Sequence, residues 1–233
     1  MFGFDLTYLL MIGFFMLIGM LVSGRLKRVF SEYSQIALSS GLSGKEVAEK
    51  MLRDNNIFDV KVISVEGQLT DHYNPLDKTV NLSHDVYNGR SISAAAVAAH
   101  ECGHAVQHAT AYAWLGLRST LVPVVNFSNR AMNHIFFAMI IFGAVTAMYN
   151  QILLIIIILQ AAITLFSLIT LPVEIDASQR ALVWLNTSRI TKGEETQQAT
   201  TALKWAAGTY VVAALASVAT LLYFVMQYMG RRD

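Results

Sequence analysis

Two histidines and a glutamate stand close together as His100-Glu101-Cys102-Gly103-His104, within an alanine-rich stretch that favours helix. Residues four apart share one helix face, so His100 and His104 can both direct a ring nitrogen at one ion. Glu101 lies about 100° around the helix from His100 and can reach a water on that ion. A catalytic zinc ion uses such ligands, keeps one position open and activates water there with the help of a carboxylate. The spacing therefore predicts zinc-dependent hydrolytic chemistry with Glu101 as the base.

The third ligand has to come from another part of the chain. His108 shares a face with His100, but eight residues of helix separate the two by about 12 Å, which one ion cannot bridge. Glu174 is the preferred candidate because it follows an apolar block, where an ionisable side chain is usually functional. Its alternative interpretation is a solvated charge at a helix start, since Pro172 predicts a helix break or restart. The other candidate ligands are His72, His84, Asp71, Asp85 and Asp176.

The composition indicates a membrane protein. Of the 233 residues, 55% are hydrophobic and 14% are charged, against roughly 25% charged residues in ordinary soluble domains. The apolar residues cluster in four blocks, and almost all of the charge lies in two intervening segments. A helix that spans a bilayer takes about 20 residues. The blocks are residues 6–22, 135–148, 152–171 and 210–229, and the second is short enough to need residues 131 and 132 as well.

Basic residues near the ends of these blocks predict the orientation, because lysine and arginine concentrate on the cytoplasmic side. They place residues 24–130 and 172–206 together at the cytoplasmic face, with both termini outside. Positive charge after the first block, and not before it, predicts an uncleaved anchor. The supporting residues are Arg25, Lys27, Arg28, Arg118, Arg130, Arg180, Arg189 and Lys204, and Arg231 and Arg232 oppose them.

The predicted domain order follows from the spans. It comprises an anchor (1–23), a hydrophilic region with the His-Glu helix (24–130), a helical hairpin (131–171), a second hydrophilic segment (172–206) and a last transmembrane helix (207–233). His100 and Glu174 can bind one ion only if an even number of crossings separates them. The hairpin supplies two.

The first hydrophilic segment contains helix and strand patterns. A helix continues from the first span to about residue 38, and Ser43 with Glu46 forms a capping box for a helix over residues 44–54. Two β-branched runs, 60–65 and 79–82, predict a β-hairpin or small sheet with its turn at 74–78. The strand at 79–83 either pairs with an extended substrate or closes the sheet. The helix of the metal motif starts at Ser91 or Ser93 and reaches about Trp114.

Other features exclude some functions and add minor candidates. A net charge of +1 without a basic stripe gives no basis for nucleic-acid binding. The single cysteine, Cys102, excludes an intramolecular disulfide and a Cys-rich zinc module, and it is predicted to pack as a small side chain. Candidates for contacts with the oxyanion or the substrate are His72, Tyr73, Tyr87 and Arg180, each of which is otherwise an ordinary surface or packing residue.

Residues 71–107 resemble the YugP-like family of bacterial membrane zinc metallopeptidases, through Asp-His-Tyr-Asn-Pro, Lys-Thr-Val-Asn-Leu-Ser and Ala-Ala-His-Glu-Cys-Gly-His-Ala-Val-Gln. Residues 171–178, Leu-Pro-Val-Glu-Ile-Asp-Ala-Ser, are similar to that family too, and the likeness covers nearly the whole chain. The resemblance implies a gluzincin-type peptidase in a bacterial plasma membrane. It implies one zinc ion on His100, His104 and Glu174, with Glu101 as the catalytic base.

One position departs from related membrane proteases. The HtpX-like and prenyl-protein proteases have an aspartate four residues after the ligand glutamate, oriented toward a zinc histidine, whereas Ser178 stands there in this chain. Asp176 is the candidate replacement, and its alternative is an ordinary interfacial carboxylate.

We therefore expect a mainly α integral membrane protein of about four transmembrane helices, with a small α+β zincin-like catalytic region that contains a short β-sheet. The expected function is zinc-dependent endopeptidase cleavage of membrane or membrane-adjacent polypeptides at the cytoplasmic face. The alternative is a catalytically idle zinc-binding membrane protein that serves as an assembly or regulatory partner, but a structural zinc site needs no Glu101. A transporter is disfavoured because the spans hold almost no ionisable residues. Expected partners are a polypeptide substrate, the lipid bilayer, and a second copy of the chain or a regulatory membrane protein.

Overall fold

A computed structural model of the chain describes residues 6–142 and 148–230, which are mainly helical. One small sheet accompanies the helices, as the sequence predicts. The elements in chain order are α1 (Leu6–Ser34), α2 (Gly44–Asp54), β1 (Lys61–Val65), β2 (His72–Asn74), β3 (Thr79–Ser83), α3 (His84–Asn88), α4 (Ile92–Ala109), α5 (Ala113–Phe142), α6 (Tyr149–Thr187) and α7 (Glu194–Met229).

The chain divides into two units. The apolar unit comprises Met1–Leu21, Leu117–Leu171 and Tyr210–Asp233. The hydrophilic unit comprises Val22–Gly116 and Pro172–Thr209, and it contains every candidate site residue. The five-part domain order predicted from the spans assigns segments to the two sides of a bilayer and stays a prediction.

Among residues 6–142 and 148–230, three helices, α1, α6 and α7, have the length and apolar composition needed to cross a membrane. Large apolar side chains such as Leu10, Phe14 and Ile158 are exposed on these helices. Such exposure would be costly in water, whereas lipid tails cover these side chains at no such cost. A mainly α fold with apolar helices suited to a membrane and a short sheet is thereby confirmed.

The sequence predicts four spans, one more than these three helices. Residues 135–148, the short second block, begin in α5 and run through residues 143–147, which lie outside the described ranges. The fourth span therefore stays a prediction.

Helix α6 continues through Pro172 without interruption over 39 residues, so the predicted break at this proline is wrong. Proline lacks the amide hydrogen that would bond the carbonyl four residues earlier. Membrane-spanning helices tolerate this loss because neighbouring groups can satisfy the freed carbonyl. Glu174 therefore projects from a continuous helix and not from a loop.

The core of the hydrophilic unit forms between α2, α4 and the sheet. The capping box of α2 is present as predicted: Glu46 N–H donates to Ser43 Oγ over 3.3 Å, and Ser43 N–H donates to Glu46 Oε2 over 2.7 Å. These bonds satisfy two amide groups that a helix start leaves free. The cap fixes where α2 begins, and its apolar face is buried against alanines of α4. The buried residues include Val47, Met51, Leu52, Ala95, Ala98, Ala99 and Ala105.

The sheet has the order β1-β3-β2, with β1 parallel and β2 antiparallel to β3. The two β-branched runs therefore pair in parallel, and a hairpin between them is wrong. The predicted turn at residues 74–78 instead joins β3 to β2, a three-residue strand without a β-branched residue. Residues 79–81 of β3 are paired on both sides, so an extended substrate cannot add to this part of the strand.

Helix α4 begins as predicted, after Ser91, whose hydroxyl accepts a hydrogen bond from the Ala94 amide. It ends at Ala109, five residues earlier than the predicted Trp114. The reason is local: Ala111 has a left-handed φ of 50°, and the Tyr112 amide donates back to the Gln107 carbonyl. This turn closes the helix shortly after the metal motif.

Candidate metal centre

Helix α4 brings His100 and His104 together on one face. Their ring centroids are 4.9 Å apart and the ring planes meet at 81°. His104 and Glu101 are buried, and His100 is nearly so.

Glu174 reaches the same point from α6. Its Oε2 lies 3.4 Å from His100 Nε2 and 3.6 Å from His104 Nε2. The three ligand atoms all lie within 4.8 Å of one another. Both separations exceed the usual N–H···O distance of about 2.7–3.2 Å. Donors bound at about 2.0–2.2 Å to a tetrahedral zinc ion lie roughly 3.3–3.6 Å apart, so these residues fit zinc.

A glycine allows α6 to approach α4 this closely. A Cβ on Gly103 would lie 2.5 Å from the Ala177 carbonyl oxygen and 3.1 Å from its Cα. Neither atom can move aside, since both belong to the backbone of α6. Gly103 therefore permits the helix contact that places Glu174 beside the histidines.

Each imidazole has a second partner at its other nitrogen. His104 Nδ1 donates to Gln107 Oε1 over 3.0 Å, and a 3.1 Å hydrogen bond joins His100 Nδ1 to the Ser178 hydroxyl. The Nε2 atom of each ring is thereby the one that faces Glu174. Sequence reasoning missed Gln107 altogether.

Ser178, and not Asp176, is the residue that contacts a histidine of the metal group directly. Ser178, at the position where related proteases have aspartate, contacts His100 itself. Asp176 Oδ2 instead accepts from Gln107 Nε2 over 2.8 Å, so its link to a metal-site histidine passes through an amide. The spacing of four residues from Glu174 to Ser178 was the available signal, because one helical turn places both on the same face.

The electrostatics of the centre favour a cation. Burial lowers the pKa of His104, but the hydrogen bond to Glu174 and the carboxylates of Glu101 and Glu174 outweigh it, so this pKa lies above its ordinary value. A group that stabilises positive charge on an imidazole also stabilises a metal ion. Glu101 contributes to this field from the next position along α4.

Among residues 6–142 and 148–230, no other group of three or more His, Cys, Asp or Glu side chains has converging ligand atoms. One alternative ligand has a different role: Asp71 accepts hydrogen bonds from the amide and hydroxyl of Ser83, over 2.7 and 3.0 Å. Asp71 therefore links β3 to the residues before β2.

Two of the oxyanion candidates, His72 and Tyr73, lie in β2 and form hydrogen bonds there. The Tyr73 hydroxyl lies 2.8 Å from His108 Nδ1, and His72 Nδ1 lies 2.7 Å from the Thr70 carbonyl. The bond to Tyr73 gives His108, which is too far along α4 to be a ligand, a partner of its own. In this conformation the two candidate side chains are engaged outside the metal group.

The other two candidates contact charged residues. The ammonium group of Lys45 lies 5.4 Å from the ring centre of Tyr87. Arg180 Nε donates to Asp176 Oδ2 over 2.6 Å, and its guanidinium lies 5.7 Å from the ring centre of Tyr112. Arg180 thus anchors Asp176, and through it the polar network behind His104.

Cys102 stands between the histidines in sequence but points elsewhere. It is fully buried, and its Sγ lies 3.5 Å from the Ala48 carbonyl in α2. Burial, with the nearby charge of Glu101, raises the pKa of this thiol well above its ordinary value. Cys102 packs between helices, as predicted, and is not a metal ligand in this arrangement.

Comparison with known proteins agrees with the site chemistry. A family model described as "Putative neutral zinc metallopeptidase" matches residues 8–229. The chain is 44% identical over 209 residues to the "Putative membrane protease YugP" of Bacillus subtilis (strain 168), which covers 90% of this chain and 91% of that protein. No solved structure matches the chain. The predicted resemblance is confirmed, and the chain belongs to the family of neutral zinc metallopeptidases that this model describes.

Proposed function

We propose that this chain is a membrane zinc endopeptidase whose metal is held by His100, His104 and Glu174. The observation that carries the proposal is the meeting of two imidazole nitrogens and one carboxylate oxygen within 4.8 Å, with Glu101 one residue from His100. A zinc ion held by these residues would polarise the scissile carbonyl and would lower the pKa of a water molecule, whose deprotonated form is the nucleophile.

Glu101 is the base in this proposal. It is buried, and its position next to His100 on α4 sets it about 100° around the helix from that ligand, which supports this role. It accepts the proton of the attacking water and passes it to the leaving amine. General acid–base groups of this kind contribute about 10²–10⁴-fold to a rate.

The proposed substrates are membrane or membrane-adjacent polypeptides. The named relative is called a membrane protease, and three helices of this chain are suited to lipid. Such helices would hold the chain in a bilayer, which raises its local concentration relative to polypeptides held in the same membrane.

The proposed location is a bacterial plasma membrane, with the site on the cytoplasmic face. His104 and Glu174 lie together, so an even number of crossings must separate them. In this proposal α6, a candidate span, crosses once before Glu174, and a second crossing lies between residues 104 and 149; this arrangement supports four spans. The excess of lysine and arginine on the site-bearing segments supports the cytoplasmic side.

The test compares wild type with Glu101→Gln in detergent or liposomes. Bound zinc is measured by elemental mass spectrometry, and cleavage is measured on an unfolded membrane protein. We expect equal zinc and a loss of cleavage of about 10²-fold or more. The matched control is Glu49→Gln, the same change on an exposed face of α2, which keeps both properties.

Two outcomes would contradict the proposal. Unchanged cleavage by Glu101→Gln excludes this residue as the base. A wild type that holds zinc but cleaves no unfolded membrane protein supports the idle zinc-binding protein instead.

A further inference from the structure

The side chain behind His104 is a glutamine with no exposure at all. Gln107 lies three residues after His104 in α4, and 0% of its surface is accessible. A buried primary amide is destabilising by several kcal/mol, about 2–7, unless its donors and acceptor are satisfied. Gln107 satisfies them with three partners from two helices.

These partners allow one orientation of the amide. Gln107 Nε2 donates to the Val173 carbonyl and to Asp176 Oδ2, each over 2.8 Å. Both are acceptors only, so a flipped amide would set its oxygen against two other oxygens. The Oε1 atom must therefore face His104.

The fixed amide in turn selects a form of the imidazole. An amide oxygen can only accept, so His104 Nδ1 has to carry the hydrogen in the 3.0 Å bond to Gln107. A neutral imidazole with hydrogen on Nδ1 has its lone pair on Nε2. That is the nitrogen that faces Glu174, 3.6 Å away.

Asp176 is itself held in place. Arg180 Nε donates to the same Oδ2 over 2.6 Å from one turn further along α6. The carboxylate therefore accepts from both Gln107 and Arg180, and it polarises the amide whose oxygen receives the His104 hydrogen.

We propose that Gln107, anchored by Asp176 and the Val173 carbonyl, is a positioning residue that fixes the tautomer and ring angle of His104 for zinc. The partner of His100 is the single hydroxyl of Ser178, whereas the partner of His104 is an amide that Asp176 holds in place by a hydrogen bond. Because Val173 and Asp176 flank Glu174, the same bonds tie the His104 ring to the helix that carries the third ligand. The inference rests on the proposed zinc site, and it does not depend on peptide cleavage.

The experiment measures metal binding alone. Gln107→Leu keeps the volume and removes the amide, and we expect zinc affinity to fall about 10–100-fold, as losses of such outer partners do. The visible spectrum of the cobalt-loaded protein should also change, because it reports the ligand geometry. The matched control is Gln160→Leu, the same change at a buried glutamine of the apolar unit, which keeps affinity and spectrum.

If Gln107→Leu fails to fold, a second pair of variants, at Asp176, tests the same inference. Asp176→Asn keeps an oxygen that can accept from Gln107, and we expect zinc affinity within about threefold of wild type, whereas Asp176→Ala loses about tenfold. Arg180→Gln, which leaves the Asp176 acceptor in place, separates the role of the ion pair and should resemble Asp176→Asn.

The outcomes are distinct from those that test the peptidase. Wild-type affinity and spectrum in Gln107→Leu, or equal affinities in Asp176→Asn and Asp176→Ala, would overturn the inference and leave the zinc site intact. A wild type that binds neither zinc nor cobalt would contradict the site itself. A zinc-loaded protein without cleavage leaves this inference standing.

Discussion

Each unit contains a group of buried polar side chains that joins helices, and the two groups differ in charge and in the arrangement of their polar atoms. In the apolar unit, Gln160, Thr164 and Ser217 join α6 to α7. Gln160 Nε2 donates to Ser217 Oγ over 3.1 Å, and the Thr164 and Ser217 hydroxyls lie 2.9 Å apart. In the hydrophilic unit, His100, His104 and Glu174 carry ionisable groups.

The distances separate the two kinds of group. Within the apolar unit the atoms meet each other at hydrogen-bond length, so that group is closed and neutral. In the metal group the Glu174 oxygen stays 3.4 and 3.6 Å from the two imidazole nitrogens, and all three atoms face a common point. Buried polar atoms that contact each other indicate helix association, whereas those that surround a point indicate a ligand.

Removal of one metal ligand should have the largest effect, because it takes away one of the three atoms that surround the proposed zinc position. Glu174→Gln keeps the size of the side chain but loses its charge, and we expect zinc affinity to fall by more than about 100-fold, beyond the effect of an outer partner. Competition with a chelator of known affinity measures the change. Unaltered affinity would show that the ion, if bound, lies elsewhere.

Loss of the close helix approach should have the next largest effect. Gly103→Ala sets a Cβ 2.5 Å from the Ala177 carbonyl oxygen, and overpacking of this kind costs about 1–3 kcal/mol or more. Separation of α4 from α6 also moves Glu174 away from the histidines, so zinc binding should weaken together with the melting temperature.

The matched control is Gly116→Ala in α5, where a Cβ has no atom within 4 Å. Alanine there should be neutral or stabilising by up to about 1 kcal/mol, because it favours helix. Equal behaviour of the two alanine variants would show that the α4–α6 contact tolerates expansion.

The contrast also explains which site residues could be predicted from the sequence. His100 and His104 could be predicted because two residues four positions apart on a helix lie on the same face. Glu174 could be predicted because a charged residue beside an apolar block is rare. Gln107 could not be predicted, since the sequence alone does not distinguish a buried glutamine near a helix end from a solvated one.

The fold shows a similar division. The capping box of α2 and the Ser91 cap are local signals, and both elements start where predicted. Strand β2 was missed because it has only three residues, His72–Asn74, of which Tyr73 alone favours a strand, and it forms by pairing with β3. The partner of a strand is a long-range property, so the parallel pairing of β1 with β3 could not be predicted from turn residues.

The closed polar group of the apolar unit should give a smaller effect. Ser217→Ala removes the hydroxyl that contacts Gln160 and Thr164, and such interhelical bonds average about 0.6 kcal/mol in membranes. We expect a slightly lower melting temperature in detergent and unchanged zinc affinity. A loss of zinc in this variant would connect the two groups and end the distinction drawn between them.

A comparably small effect is expected at Cys102, which lies between the two histidines in the sequence of the metal motif. A ligand or a redox switch requires an accessible thiolate, whereas this thiol is fully buried and burial raises its pKa. Cys102→Ala should therefore keep zinc affinity within about twofold and lose about 1 kcal/mol of stability at most, through a small cavity. In the wild type, a thiol reagent should label Cys102 only as fast as the hydrophilic unit opens, with or without zinc. Rapid labelling of the native protein at neutral pH would place the thiol in reach of the metal, and the motif would then offer a sulfur ligand beside its two imidazoles.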